Sequence, residues 1–337
     1  MRKIYIHAGL HKTGSTALQT ALFNNRENLL RQGFYYPGIG IPARFHGHHN
    51  IAWQLSRDRR FRPEFGDVRT LVRTIQDNPE NSVLLSSEDF ECSLLHPQRM
   101  RNISAYFLKN KMEVCFIIYL RRQVDYLKSL YFELLKVGFG DEFSAFLRRI
   151  VASSKIEYRE WEFVFNYSEI NKSLRSLEDV ELVFRDYDDL VDSNTVRDFC
   201  HVVGIDHAQL FFPEGMNKIN ERLAPATLLK LFVRNRVGAL SESLLQAIDE
   251  LFPVEGSKWV LSSGVRAVFE KFHDRDHFYK TGQLAKEAEN ELTGFNIEKV
   301  FSFETCGVVM HLAKLSQQPD RKMERIAEWR NWAGHAG

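Results

Sequence analysis

Lys3–Gln19, KIYIHAGLHKTGSTALQ, is the stretch that most restricts what this chain can fold into. Ile4, Tyr5 and Ile6 lead towards a glycine and predict a short buried strand. Thr16, Ala17, Leu18, Ala21, Leu22, Leu29 and Leu30 recur near a helical period and predict a helix opening near Ser15 or Thr16. Between them lie Gly9, Lys12, Thr13, Gly14, Ser15 and Thr16. A strand–loop–helix of this kind aims backbone N–H groups at one point, where the helix dipole favours an anion. The glycines let the backbone close on a ligand. Lys12 adds a mobile positive charge, and Ser15 and Thr16 add hydroxyl donors. The stretch reads as a cradle for a phosphate-type group.

The rest of the chain fills in an α/β sheet around that unit. Phe34–Tyr36, Ser82–Leu85, Glu113–Leu120 and Val180–Phe184 read as further strands. EVCFIIYL is the strongest, a continuous apolar run suited to a strand covered on both faces. Helices are expected at Ile51–Leu55, from Val68 through Ile75, at Met100–Leu108, from Arg121-Arg122 through Leu127 to Gly138, and at Phe143–Ile150, Tyr158–Phe165, Val196–Val203, Thr227–Val233, Leu244–Leu251, Val265–Phe272 and Leu284–Leu292. The expected fold is a parallel central sheet of four to five strands flanked by helices, with a mainly helical C-terminal part. With no clear linker or repeat, one domain is expected over 1–315: an α/β core over 1–205 and a helical part over 206–315. A tail helix over 316–337 places Met323, Ile326 and Trp329 on one stripe, suited to packing on the body or to a homodimer.

Arg121 and Arg122 follow the strongest strand directly. Two cations at a helix start are unfavourable unless an anion sits there. Asp125 and Ser129 fall four and eight residues after Arg121, near one helix face. Arginine offers a forked donor to phosphate oxygens, and serine a hydroxyl. Two anion cradles at two strand ends point to one ligand with two separated phosphate-like groups.

The nucleotide P-loop ends G-K-[ST], whereas here Lys12 precedes Gly14 in K-T-G-S-T. The loop resembles the phosphosulfate-binding loop of sulfotransferases, K-[ST]-G-[ST]-T. The Arg121…Ser129 spacing is similar to their second motif, and Val180–Gly204 to the strand, acidic turn and helix that follow their core. The resemblance covers residues 1–205. It implies a P-loop nucleoside-triphosphate-hydrolase-like fold and 3′-phosphoadenosine 5′-phosphosulfate (PAPS) as donor. It also implies a role for each matched residue: Lys12 on the leaving bridging oxygen, Thr13, Gly14, Ser15 and Thr16 around the 5′-phosphate, and Arg121 with Ser129 on the 3′-phosphate. Phe278–Gly282 is one candidate for the loop that closes the adenosine pocket. No metal is implied.

Sulfuryl transfer also asks for a general base. His48 and His49, in the long irregular segment 39–67, and Glu88, after the third strand, are the candidates. Some carbohydrate sulfotransferases use a Glu base. Ser87 is read as a hydrogen-bond helper, His7 as a strand-end residue and His11 as a loop residue. The look of H-H-N and S-S-E-D-F is closer to bacterial carbohydrate or lipid sulfotransferases than to steroid and phenol enzymes, so a carbohydrate or lipid acceptor is expected. A P-loop-type kinase or NTPase, and a nucleotide binder without turnover, are the rival readings.

Composition bears on partners and setting. Among 337 residues, 45 Lys and Arg balance 44 Asp and Glu, which argues against bulk nucleic-acid binding. Cys92, Cys115, Cys200 and Cys306 form no CxxC pair, so neither a zinc site nor a disulfide framework is expected and a cytoplasmic setting fits. Met-Arg-Lys leads straight into the first strand without a signal-peptide run. No apolar stretch approaches the ~20 residues of a membrane span.

Overall fold

Apolar runs bounded by glycines and polar turns become the strands of one sheet. A computed structural model describes residues 2–141, 145–146, 149–150, 153–190, 194–212, 225–239, 242 and 245. Strands β1 (Arg2–His7), β2 (Phe34–Tyr35), β3 (Ser82–Ser86), β4 (Met112–Leu120) and β7 (Val180–Asp186) form a five-stranded sheet in the order β2-β3-β1-β4-β7. All its pairings are parallel, with Ile6 opposite Leu85 on β3 and Phe116 on β4. This is the expected parallel central sheet flanked by helices. β4 is buried at every position except Glu113, as its unbroken apolar run demands.

Helices α1 (Ser15–Asn24) and α2 (Arg26–Arg31) follow β1. The single helix expected there is broken at Asn25, whose side chain donates to the Ala21 carbonyl and bridges to Phe211 O at 2.8 Å. Then come α3 (His49–Ser56), α4 (Val68–Gln76), the short α5 (Glu91–Leu94), α6 (Pro97–Leu108) and α7 (Gln123–Lys136). α8 (Tyr167–Arg175) and α9 (Thr195–Val203) flank β7 in sequence. Leu18, Leu22, Ile117, Tyr119, Phe199 and Cys200 form a buried cluster between the sheet and α1 and α9. Burying side chains of this size stabilises by roughly 1.5–3 kcal/mol each.

One expectation is overturned. The helix expected over Tyr158–Phe165 is instead an antiparallel hairpin, β5 (Lys155–Tyr158) and β6 (Trp161–Val164). Ile156 and Phe163 face each other and are both buried. Alternation at a period of two, with Arg159 in the left-handed turn at φ 54°, outweighs the aromatic content.

The chain divides into two compact units. The sheet, its helices and the hairpin belong to the first, which contains residues up to Leu127 and 149–221. Lys128–Arg148 and 222–269 belong to the second. There α10 (Pro225–Val237) is held by Asn235 Nδ2, which donates to Leu135 O (2.7 Å) and Phe139 O (2.9 Å). Tyr131, Phe139 and Phe146 pack as an aromatic cluster. The expected helices at 265–272 and 284–292, the loop 278–282 and the tail helix lie outside the described residues; the helices expected at Phe143–Ile150 and 244–251 lie partly outside them. No described helix is long and apolar enough to cross a membrane.

Candidate active site

The strand order decides which loops meet. β1 lies between β3 and β4, so the loop after β1 emerges beside Arg121 on one side and Ser87–Glu91 on the other. Ligands in open α/β sheets bind at such C-terminal edges, where the strand order reverses.

On the β4 side lies the cradle. Lys12 and Gly14 have φ of 66° and 81°, so the chain turns twice through the left-handed region before α1. At Gly14 a Cβ would also stand 2.5 Å from Thr195 Oγ1. Thr195 fastens the loop, its hydroxyl donating to Thr13 O at 2.8 Å. Thr13 Oγ1 donates to Leu10 O at 2.6 Å, so this expected phosphate ligand spends its hydroxyl inside the loop. Thr16 is exposed. Ser15 is 4 % exposed, and its Oγ is buried with no hydrogen-bond partner among the described residues. α1 has neither a side-chain cap nor an acidic residue in its first turn, so its positive end is uncompensated by its own sequence.

Arg121 completes this side. Its Nη1 donates to Lys12 O at 2.8 Å, and its guanidinium lies 5.3 Å over the Tyr187 ring. Its Nε is buried without a partner among the described residues. Tyr167 Oη fixes the Arg121 carbonyl at 2.7 Å. Arg122 turns outward: its amide donates to Asp188 (2.6 Å) and its guanidinium pairs with Asp125 (2.9 Å). Asp125 is thus engaged by Arg122. α7 begins only at Gln123, so the expected common face of Arg121, Asp125 and Ser129 does not start at Arg121. Ser129 is half-buried on the part of α7 that belongs to the second unit.

On the β3 side lies a network of carboxylates and imidazoles. Glu91, fully buried, accepts from Tyr126 Oη (2.6 Å), Val164 N (2.8 Å), and His11 N and Nδ1 (2.9 and 2.8 Å). Asp89 Oδ2 lies 3.0 Å from His49 Nδ1 and accepts from Trp53 Nε1 at 2.9 Å. Its Oδ1 faces Arg60 Nη2 at 3.3 Å and His11 Nε2 at 3.9 Å. Arg60 is itself sandwiched between the rings of Trp53 and Trp161, 4.8 Å from each. Glu88 accepts from Gln19 Nε2 at 2.6 Å, which ties it to α1. Gly47 permits this, since a Cβ there would stand 2.6 Å from the Gln19 amide carbon.

These neighbours divide the histidines. Burial opposes charge on His49, but Glu88 and Asp89 outweigh it and raise its pKa above the ordinary 6.5. His11 is raised in the same way, Glu91 and Asp89 overcoming burial. Burial alone would raise the Glu88 and Asp89 carboxyls; the two imidazoles overcome it and hold both below the usual carboxylate range. His48 has no carboxylate partner among the described residues. Its Nε2 donates to Pro37 O (3.0 Å) and its Nδ1 accepts from Ser86 N (3.2 Å), so burial lowers its pKa to about 3. Both ring nitrogens are spent on backbone, which leaves His48 no lone pair for a base. His7 is likewise buried, bonded through Nδ1 to Ser86 Oγ (2.8 Å), with its pKa lowered to about 4.

Lys12 and Arg121 therefore meet at one strand edge, and His49 and Glu88 meet at the neighbouring one. Reading the sequence passed over Asp89, Glu91, Arg60 and Gln19. The available signal was the continuation of S-S-E into D-F-E at the end of a strand beside β1.

No family model and no curated protein matches the chain. Among solved structures it is similar to a sulfotransferase from Alicyclobacillus acidocaldarius, at 19% identity over 75% of this chain and 96% of that one, TM-score 0.36. It is similar to mouse sulfotransferase SULT7A1 complexed with PAP, at 12% identity over 86% of this chain and 88% of that one, TM-score 0.36. A third likeness is to the PezAT toxin–antitoxin system of Streptococcus pneumoniae, at 12% identity over 74% and 84%, TM-score 0.31.

Proposed function

We propose that the chain is a sulfotransferase that moves a sulfuryl group from PAPS to a hydroxyl or amine of a carbohydrate or lipid acceptor. One observation carries the reading: Arg121 Nη1 reaches the Lys12 carbonyl, so the β1 loop and the β4 end form one rim. That rim also holds two buried polar atoms without partners, Ser15 Oγ and Arg121 Nε, beside an uncapped helix start. These fit a ligand that brings anionic oxygens.

When bound, the donor supplies an activated sulfuryl group. The first-turn amides of α1 and the Ser15 hydroxyl hold its 5′-phosphate, and Arg121 the 3′-phosphate. Lys12 places its ammonium where charge grows on the leaving oxygen. The acceptor proton passes to the base side, to His49 or Glu88.

The test is isothermal titration with 3′-phosphoadenosine 5′-phosphate (PAP) and with ATP plus Mg²⁺, followed by turnover of labelled PAPS against glycan and lipid panels. PAP is expected to bind and Mg·ATP not. Lys12→Ala is expected to lower turnover by ~10²–10³-fold, the size of a lost transition-state charge contact. Binding of Mg·ATP without PAP would replace this reading with a kinase or NTPase. PAP binding with no turnover on any panel would leave a nucleotide binder.

A further inference from the structure

The Asp89 carboxylate gathers donors from three segments. Oδ2 takes the Trp53 indole N–H and faces His49 Nδ1, both from α3; Oδ1 faces Arg60 from the loop after α3, and His11 from the cradle loop. The Asp89 amide donates to Ser87 Oγ (3.1 Å), which itself lies 2.9 Å from His49 Nδ1. Trp53 stacks near-parallel on the His49 ring (25°), and Phe45 meets it edge-on. The imidazole is held on its faces as well as at one nitrogen.

An ionised carboxylate only accepts hydrogen bonds. An oxygen of Asp89 at 3.0 Å from His49 Nδ1 therefore requires a hydrogen on Nδ1. Neutral imidazole carries one such hydrogen, so the lone pair belongs to Nε2, while the side-chain hydrogen bonds of His49 to described residues all run through Nδ1. Resting on the sulfotransferase reading above, we propose that Asp89 is the positioning residue that fixes the His49 tautomer and so makes His49 Nε2, rather than Glu88, the base.

In the transfer step the acceptor O–H proton goes to Nε2, and the freed oxygen pair forms the new bond to sulfur. The bond from sulfur to the bridging oxygen breaks, and its electron pair leaves on the phosphate beside Lys12. Asp89 stabilises the imidazolium that results. Glu88 is held low by His49 and His11 and engaged by Gln19, which makes it a weak proton acceptor. The charged and titratable groups facing His49 are Glu88 and Asp89 from the β3 end, His11 from the cradle loop, its neighbour His48, and Arg60 through Asp89.

The experiment is ¹H–¹⁵N NMR of the full chain labelled at its imidazole nitrogens, with His49 assigned by difference from His49→Gln. Wild type is expected to show the Nδ1–H tautomer of neutral His49. Asp89→Asn is expected to lose that preference and to lower the His49 titration midpoint by about one pH unit, the order of a removed charge partner. Ser87→Ala, which leaves the carboxylate in place, is expected to keep Nδ1–H. An Nε2–H tautomer in wild type overturns the proposal, and this reading needs only the assignment variant, not Asp89→Asn, to fold. An unchanged tautomer and midpoint in a folded Asp89→Asn overturns it too. Failure of the sulfotransferase reading shows separately, as absence of PAP binding to wild type.

Discussion

The cradle after β1 and the network after β3 flank one central strand, and they hold their polar groups in opposite ways. In the cradle, Ser15 Oγ and Arg121 Nε are buried with no partner, and α1 starts uncapped. In the network, Glu91 takes four hydrogen bonds, Asp89 Oδ2 is shared by two rings, and Glu88 accepts from Gln19. An unsatisfied buried polar group costs about 1–3 kcal/mol. Such a cost is sustainable where a ligand later brings the missing partner. The carboxylates of the network are the converse: their partners are set at folding and need no ligand to hold them, which suits groups that must orient a reacting side chain before the reaction begins.

The largest effect that separates the two regions is on stability at Glu91. Glu91→Ala leaves Tyr126 Oη and Val164 N unpaired in a buried site, and His11 N and Nδ1 unpaired in a partly buried one. The expected cost is ~3–5 kcal/mol, the range for breaking a buried charged hydrogen-bond set. Urea unfolding reads it. A loss below about 1 kcal/mol would mean that the network is no better satisfied than the cradle.

Next in size is the response to pH, where the histidines of the network oppose those that brace the strands. His7 and His48 are lowered from 6.5 to about 4 and about 3. Each takes a proton in the unfolded chain before it does in the fold. Stability therefore falls as pH drops below 6.5, by up to ~1.4 kcal/mol per pH unit for each. His49 and His11 are raised, so their contribution is complete below 6.5 and is lost as pH rises through their folded pKa values above 6.5. Asp89 is depressed and gives way only on the acid side, below 3.8. Stability should thus peak near pH 6.5, measured by denaturant unfolding over roughly pH 4.5 to 9. His48→Gln should flatten the acid limb and His49→Gln the alkaline one. A monotonic rise with pH would contradict the division.

The two regions were not equally legible in the sequence, for a physical reason. Lys12, Gly14 and Ser15 sit in one contiguous stretch, and Arg121 directly follows an apolar run that could only be a covered strand; local pattern is enough to place them at strand ends. The network is made of long-range pairs. His49 meets Asp89 across 40 residues and His11 meets Glu91 across 80. Glu88, Asp89 and Glu91 look locally like the acids that open any helix, and only strand order brings His11 and His49 to them. The same limit explains the hairpin β5–β6. Four-residue strands rich in aromatics carry too little periodicity to be told from a helix until Ile156 and Phe163 are seen paired.

The smallest effect is also the sharpest comparison, because it changes one hydroxyl on each side. Ser15→Ala removes an oxygen that has no partner among the described residues, so stability should stay within about 0.5 kcal/mol of wild type or rise slightly. Its cost should appear only on binding, as PAP affinity about tenfold weaker, the ~1.4 kcal/mol of one hydrogen bond to a charged group. Ser87→Ala is the mirror case. It leaves the buried Asp89 N–H without its acceptor, at ~1–3 kcal/mol of stability, and touches nothing in the cradle, so PAP affinity should hold. Calorimetric titration and urea unfolding of the same two variants separate the profiles. If both serines cost stability and neither affects PAP, the unpartnered groups of the cradle are defects of packing rather than ligands in waiting.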